Sequence, residues 1–357
     1  MKQLFLENVP LIDVRAEVEY AHGAFPHAIN MPILNDEERR LVGICYKEKG
    51  PATAEALGYK LVTGSSRVSR INQWLEFIEK NPETWLYCFR GGQRSQIAVK
   101  WLADAGKDVP KISGGYKSLR RFLLDQFEAI PDLLVVSGKT GVGKTIFLAM
   151  IENSLDLERR ANHRGSAFGG HIAGQPSQVS FENSVAIDLL KARERNSAGP
   201  LLIEDESRLI GRLQLPVSLQ EKMKASPIIL LEDTLENRVM RIYDEYITLQ
   251  WADYKQKFDE NAFDEFSNYL CTAIDAIRRR LGDAGHKAIR QALDRALVAQ
   301  KSSNFDVHQQ WIRLLLEDYY DPMYSYQIEK KKERIVYQGS LSEILEWTST
   351  RAGNGHD

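Results

Sequence analysis

A chain of 357 residues, 43% of them apolar, is enough for two cores, or three if one is small, and holds no uninterrupted apolar run long enough to span a membrane. A net charge of -2 excludes a globally basic nucleic-acid binder, so any RNA contact must come from local patches. Three scattered cysteines, Cys45, Cys88 and Cys271, exclude a disulfide framework or a zinc site. With no secretory pattern at Met1-Lys2-Gln3-Leu4, the reading is a cytoplasmic protein in a reducing compartment.

Leu11 to Arg15 is a short apolar strand ending in polar residues, and Glu17 to Tyr20 reads as a helical turn. Gly23 to Pro32 is a Gly- and Pro-punctuated loop leading into another short strand. Asp36 to Tyr46 and Ala52 to Leu61 have helical composition, and Ile71, Trp74, Leu75 and Ile78 fall at helical spacing within Val68 to Glu79. A strand then runs into Cys88, a helix is expected from Gln96 to Leu102, and a further strand near Lys111-Ile112. This alternation argues for an open, mostly parallel sheet with helices on both faces, which binds ligands at the carboxyl ends of its strands, where Cys88 falls.

Between Cys88 and Ser95 the order is strand, glycine-containing loop, arginine, helix. Successive backbone N–H groups can curl round one point there, with a helix N-terminus behind them, which favours an anion and the thiolate form of a cysteine. Cys88 is therefore read as a nucleophile; the bland alternative is a buried structural cysteine at a strand end. Leu-Ile-Asp-Val-Arg, the Gly23 to Ala28 loop and Cys88 to Ser95 resemble a rhodanese domain, although His27 stands where many rhodaneses have glycine. Five residues separate Cys88 from Arg94, a spacing shared with Cys-dependent phosphatases and suited to a phosphate-sized anion such as selenophosphate, thiophosphate or a phosphoester.

Phe127 to Asp132 reads as a joint, with Pro131 ending the helix before it. Leu133 to Val136 is a buried strand, followed by Ser137-Gly138-Lys139-Thr140-Gly141-Val142-Gly143-Lys144-Thr145 and a helix over Ile146 to Ile151. This is a complete phosphate loop in its strand–loop–helix setting. Gly138, Gly141 and Gly143 let the backbone wrap a diphosphate, Lys144 supplies a point charge, and Thr145 can hold magnesium. Pro200 to Ile203 is a second strand, ending in Glu204 to Arg208, where Asp205 or Glu206 could position magnesium or an attacking group, or simply face water. The Gly-rich, basic stretch Asn162 to Gly170 reads as a substrate loop, or else as a surface loop with His163 and Arg164 solvated.

A third strand is expected over Ile228 to Asp233, then helices over Leu235 to Phe258, Phe263 to Leu281, Lys287 to Lys301 and His308 to Tyr319. Arg278-Arg279-Arg280 and Lys330-Lys331-Lys332 are local basic clusters, the second near the tyrosines of Tyr319 to Tyr326. They read either as RNA contacts or as solvated faces.

The whole chain resembles the tRNA 2-selenouridine synthases. The residues that carry the resemblance are Tyr87 to Ser95, Gly114 to Lys117, the phosphate loop, His163 to Gly169, Glu204 to Arg208 and Tyr319 to Tyr324. The resemblance implies replacement of sulfur by selenium in the wobble 2-thiouridine of tRNAs for Lys, Glu and Gln. It further implies two steps: geranyl diphosphate alkylates the thiocarbonyl sulfur, and selenium from selenophosphate displaces the S-geranyl group. On this basis Cys88 and Arg94 are the catalytic residues, Cys88 carrying selenium. Arg90, Gly91, Gly92, Gln93 and Ser95 hold selenophosphate, and Gly138, Gly141, Gly143, Lys144 and Thr145 hold the diphosphate. His163, Arg164, Ser166, Asp205, Glu206 and Arg208 are candidates for the substrate or RNA. The metal content is left open, magnesium being the ion considered. The partners are tRNA, selenophosphate and geranyl diphosphate, with no membrane, and a monomer is expected.

The expected fold class is α/β: a rhodanese-like parallel-sheet domain over 1–128, a P-loop α/β core over 129–250, a helical region over 251–350 and a disordered tail over 351–357. Two rival readings follow from the same residues. A Cys-dependent phosphatase would need a general acid, for which Asp13 and Asp36 are the available carboxylates. A non-catalytic RNA-binding adaptor would use the first domain for contact alone.

Overall fold

A computed structural model describes residues 1–195 and 199–353, and the chain falls into two compact units: 1–129 with 177–191, and 130–176 with 192 onward. The expected tail lies outside the described residues from 354 on, and the helix Leu341–Gly353 runs up to that point.

In the first unit, strands β1 (Leu11–Asp13), β2 (Ala28–Asn30) and β3 (Trp85–Tyr87) form a parallel sheet in the order β2-β1-β3. The strand expected near Lys111 is a single bridge from Lys111 to Leu86. It goes no further because Gly114 and Gly115 both have positive φ and turn the chain under the Cys88 loop. Ile12, Val14, Leu86, Trp74, Ile78, Trp101 and Leu102 form the core between sheet and helices. The two helices expected between 36 and 61 are present within Asp36–Leu61, separated by a non-helical kink at Gly50 (φ 81°) just before Pro51. Asn35 caps it, its side chain accepting from Glu38 N while the Glu38 carboxylate returns to Asn35 N, both at 2.8 Å.

Helix Gln178–Glu194 had no counterpart in the sequence reading, because its buried residues Phe181, Val185, Ala186, Ile187 and Leu190 do not form one stripe. Most of it belongs to the first unit. Asn183 Nδ2 donates to Ala24 O at 2.8 Å, Ala24 N donates to Ser180 Oγ at 3.0 Å, and Arg120 reaches Asn183 and Glu182.

The second unit is built on a parallel sheet of β4 (Leu133–Gly138), β5 (Ser154–Leu155), β6 (Leu201–Glu204), β9 (Ile228–Leu231) and β10 (Ile335–Gly339), in the order β10-β9-β4-β6-β5; β7 (Leu209–Ile210) and β8 (Leu213–Gln214) form a small antiparallel hairpin. Every residue of β4, β6 and β9 is buried, as their continuous apolar runs require. The edge strands β5 and β10 were not legible in the sequence. Ala262–Gln300 comprises the two helices expected there, joined across a non-helical kink at Gly282 (φ 78°). It packs with Leu235–Tyr243, Gln250–Phe258 and His308–Leu315 around Phe168, Tyr246, Phe266 and Trp311. Phe168 belongs to the candidate substrate loop, so that loop is anchored in the helical core.

Candidate functional site

Each unit has, at the carboxyl end of a strand of its sheet, a glycine-containing loop that leads into a helix. In the first, β3 ends at Tyr87 and Cys88 is the next residue, only 3% exposed. The helix Gln93–Asp104 begins immediately after Gly92, three residues earlier than expected. Cys88 Sγ donates to Ser95 Oγ at 3.2 Å, and Ser95 Oγ donates to Gly92 O at 2.9 Å. Gly115 lies directly beneath: Tyr116 N donates to Cys88 O at 2.9 Å, and a Cβ at Gly115 would fall 2.2 Å from that same carbonyl. The Gly-Gly-Tyr-Lys stretch is thus the floor of the Cys88 loop.

Arg94 is held by Glu19, with both terminal nitrogens donating, at 2.5 and 3.1 Å. Arg39 pairs with the same carboxylate at 2.9 Å. Burial works to raise the Glu19 pKa, but Arg94 and Arg39 outweigh it and bring the carboxyl below its usual range. The cleft has a volume of about 990 Å³, and its lining includes Cys88, Arg90, Gly92, Gln93 and Arg94 with Val18, Ile44, Tyr46 and Phe89. Gly91 lies in the loop behind this surface; its backbone packs against Ile112 and Gly114.

Neither acid offered for a phosphatase is free at this cleft. Asp13 is fully buried and bound by Arg15, which also stacks on Tyr116 with its guanidinium carbon 3.8 Å from the ring centre. Burial raises the Asp13 pKa against the opposing pull of Arg15. Asp36 accepts from Val18 N at 2.9 Å at the start of its helix.

In the second unit, Gly138, Gly141, Gly143, Lys144 and Thr145 lie between β4 and the helix Lys144–Ala149. The loop is braced from outside. Buried Arg238 donates to Thr140 O at 2.9 Å and pairs with Asp321 at 2.5 Å, and Arg241 donates to Gly141 O at 3.1 Å. The cavity in front is about 540 Å³ and brings the phosphate loop together with Arg164, Ser166, Glu206, Tyr320 and Tyr324. Three sequence blocks scattered over the chain therefore meet at one place.

Of the acidic block, Glu206 lines this cavity. Asp205 does not: it accepts from Ser137 Oγ at 2.6 Å and from Lys331 Nζ at 2.6 Å. The carboxylate nearest Thr145 is Glu204, fully buried at the end of β6, with 3.3 Å from Thr145 Oγ1 to Glu204 Oε1. The sequence reading chose between its two neighbours; the signal for Glu204 was its place as the last residue of the apolar run. Arg208 is exposed and donates to Gln214 Oε1 at 3.4 Å.

Glu158, another residue missed in the sequence, completes a carboxylate group around Lys144. Burial, then the neighbouring carboxylates, raises the pKa of Glu158 (Glu204 and Glu206) and of Glu204 (Asp156 and Glu206), and burial raises that of Glu206. Burial opposes the charge on Lys144, but Tyr324 and these carboxylates more than offset it and hold the ammonium above the ordinary lysine value. Gly165 (φ 64°) passes over the group, where a Cβ would meet Glu158 Oε1 at 2.7 Å and Glu206 Oε1 at 3.1 Å. His163 Nδ1 accepts from Gly165 N at 3.2 Å, so His163 shapes the loop. Ser166 Oγ and Tyr246 OH are 2.7 Å apart.

Among the described residues no three His, Cys, Asp or Glu side chains are grouped to hold a metal unaided. The Thr145 hydroxyl and Glu204 carboxylate are nonetheless oxygen donors of the kind magnesium takes alongside phosphate oxygens. The basic clusters differ from each other. Arg279 and Arg280 are exposed at the cavity rim, whereas Lys331 pairs with Asp205 and Lys332 with Glu329.

Residues 1–121 match the rhodanese-like domain, and residues 131–354 match the tRNA 2-selenouridine synthase AAA domain. A tRNA 2-selenouridine synthase of Marinobacter nauticus is 46% identical, covering 98% of this chain and 96% of its own. Those of Pseudomonas savastanoi pv. phaseolicola (46%; 98% and 97%) and Shewanella loihica (45%; 95% and 92%) are similar over comparable lengths. On this likeness, which runs across both units and both loops, the chain belongs to the tRNA 2-selenouridine synthase family.

Proposed function

We propose that this chain converts wobble 2-thiouridine in tRNAs for Lys, Glu and Gln to 2-selenouridine through an S-geranyl intermediate, with geranyl diphosphate at the phosphate loop and selenophosphate at the Cys88 loop. The observation that carries this reading is the make-up of the phosphate-loop cavity. Its floor is the phosphate loop, and Ile242, Tyr246, Ile277, Tyr319, Tyr320 and Met323 contribute apolar and aromatic surface beside the charged groups that also line it. A diphosphate with an apolar tail satisfies both halves.

In the first step the thiocarbonyl sulfur bonds to C1 of the geranyl group as the C1–O bond to diphosphate breaks. The loop amides and Lys144 stabilise the charge that gathers on the leaving diphosphate. A magnesium ion, if bound, would be held by Thr145 and Glu204 and would neutralise part of that charge. S-alkylation turns C2 of the base into an electrophile whose sulfur can leave as a thiolate. In the second step Cys88 and Arg94, with Arg90, Gly92 and Gln93 at the cleft and Gly91 and Ser95 shaping the loop behind it, bind selenophosphate and deliver its selenium to C2. Exposed Arg279 and Arg280, at the rim of the phosphate-loop cavity, are placed to meet the RNA backbone.

The test is nucleoside mass spectrometry after incubating purified protein with thiolated tRNA and each reagent separately. Geranyl diphosphate alone should yield the S-geranyl nucleoside, and both reagents together 2-selenouridine. Formation of 2-selenouridine with no geranyl donor present would refute the order of steps.

A further inference from the structure

Selenophosphate offers a nucleophile two atoms, selenium and phosphorus, and the Cys88 cleft is arranged for the second. Five residues separate Cys88 from Arg94, a loop that can surround a tetrahedral phosphoryl group. Arg94 is oriented by its two bonds to Glu19, and each terminal nitrogen keeps a further N–H for a phosphoryl oxygen. Ser95 Oγ stands 3.2 Å from the sulfur, within reach to hydrogen-bond a thiolate as it departs from phosphorus.

Attack at selenium would need a partner that the cleft does not hold. Selenium carried on Cys88 as an S–Se bond reaches carbon only with the supply of two electrons, the task of a second thiol. Among the described residues lining the cleft, Cys88 is the only cysteine. Cys45 is on the helix that walls the cleft but lines a separate hollow with Leu41, Lys49 and Leu57. Among the same residues the only carboxylate is Glu19, engaged by Arg94 and Arg39. An alkoxide leaving from phosphorus would call for a free acid. Hydroselenide, a stable anion, does not.

We infer, on the reading that the Cys88 loop binds selenophosphate, that Cys88 attacks phosphorus. The S–P bond forms as the P–Se bond breaks, and selenium keeps the electron pair, giving phosphocysteine and hydroselenide. Hydroselenide bonds to C2 of the geranylated base, the C2–S bond breaks, and the geranyl thiolate takes up a proton from water. The selenol proton settles on N3 of the base. Water then cleaves the S–P bond, phosphate leaves, and the Ser95 hydroxyl steadies the returning thiolate. No reductant is consumed. Val18, Ile44, Tyr46 and Phe89 give the mouth of the cleft an apolar, exposed surface.

The full chain is mixed with selenophosphate labelled on phosphorus or, separately, on selenium, without tRNA or thiol reductant, then quenched and digested. The expected result is phosphorus label on the Cys88 peptide and selenium free in solution, with Ser95→Ala raising the phosphorylated fraction roughly tenfold, the loss of one hydrogen bond to a charged group. Selenium label on Cys88 overturns the inference, and so does absence of phosphorus label in both wild type and Ser95→Ala. A Cys88→Ser variant with an unchanged melting profile that still makes 2-selenouridine would instead overturn the underlying assignment of selenophosphate to this loop.

Discussion

Tyr324, with Glu158, Glu206 and Glu204, holds the Lys144 ammonium above the ordinary lysine value against the opposing effect of burial. Lys144→Ala should lower geranylation by about 10²- to 10³-fold, the usual loss of one group that stabilises a leaving charge. Selenation of tRNA already carrying S-geranyl-2-thiouridine should survive, and nucleoside mass spectrometry separates the two. Gly115→Ala drives a methyl group into the Cys88 carbonyl at a φ of 56°. It should abolish selenation and leave geranylation intact, which the same assay reads. Cys88, Arg94 and Lys144 were legible in the sequence because loop and helix lie within a few residues of each other. Glu19, Glu158 and Arg238 were not, since each acts on a loop 75, 46 or 98 residues away in the chain, on Arg94, Glu204 and Thr140 respectively.

Among the elements, the buried strands β4, β6 and β9 were readable as apolar runs, whereas β5 and β10 owe their place to the strand beside them. The reading put the helical region after the P-loop core, but β10 returns to the sheet from beyond those helices. The turn at Asn162 to Gly170 hangs on Phe168, stacked on Tyr246 at 5.7 Å and close to Trp311. Phe168→Ala should destabilise the second unit by about 3–5 kcal/mol in denaturant unfolding and loosen the loop over Glu158. His308, fully buried, donates from Nε2 to Gln300 Oε1 and accepts at Nδ1 from Trp311, and burial pushes its pKa down to about 4. The unfolded chain therefore takes the proton first. Stability from this group is complete above about pH 6.5 and falls as pH drops towards 4, by roughly 3 kcal/mol. His308→Gln should flatten that slope in unfolding curves measured from pH 7 to pH 4.

For the molecule as a whole, two units with separate cores imply two separable losses of function. Arg15→Met strands the buried Asp13 carboxylate, and should destabilise the first unit by about 3–5 kcal/mol while the second keeps its own unfolding transition and its geranylation. No helix among the described residues is long and apolar enough to cross a membrane. The Cys88 loop and the phosphate loop were legible as two local motifs; the carboxylates around Lys144 and the aromatic side chains beside them required the fold. The most direct measurement is the nucleoside profile of thiolated tRNA incubated with geranyl diphosphate, selenophosphate and the Cys88→Ser variant. Accumulation of S-geranyl-2-thiouridine without 2-selenouridine is the predicted result. Formation of 2-selenouridine, or loss of both products in a variant that is still folded, would contradict the assignment of the two steps to two loops.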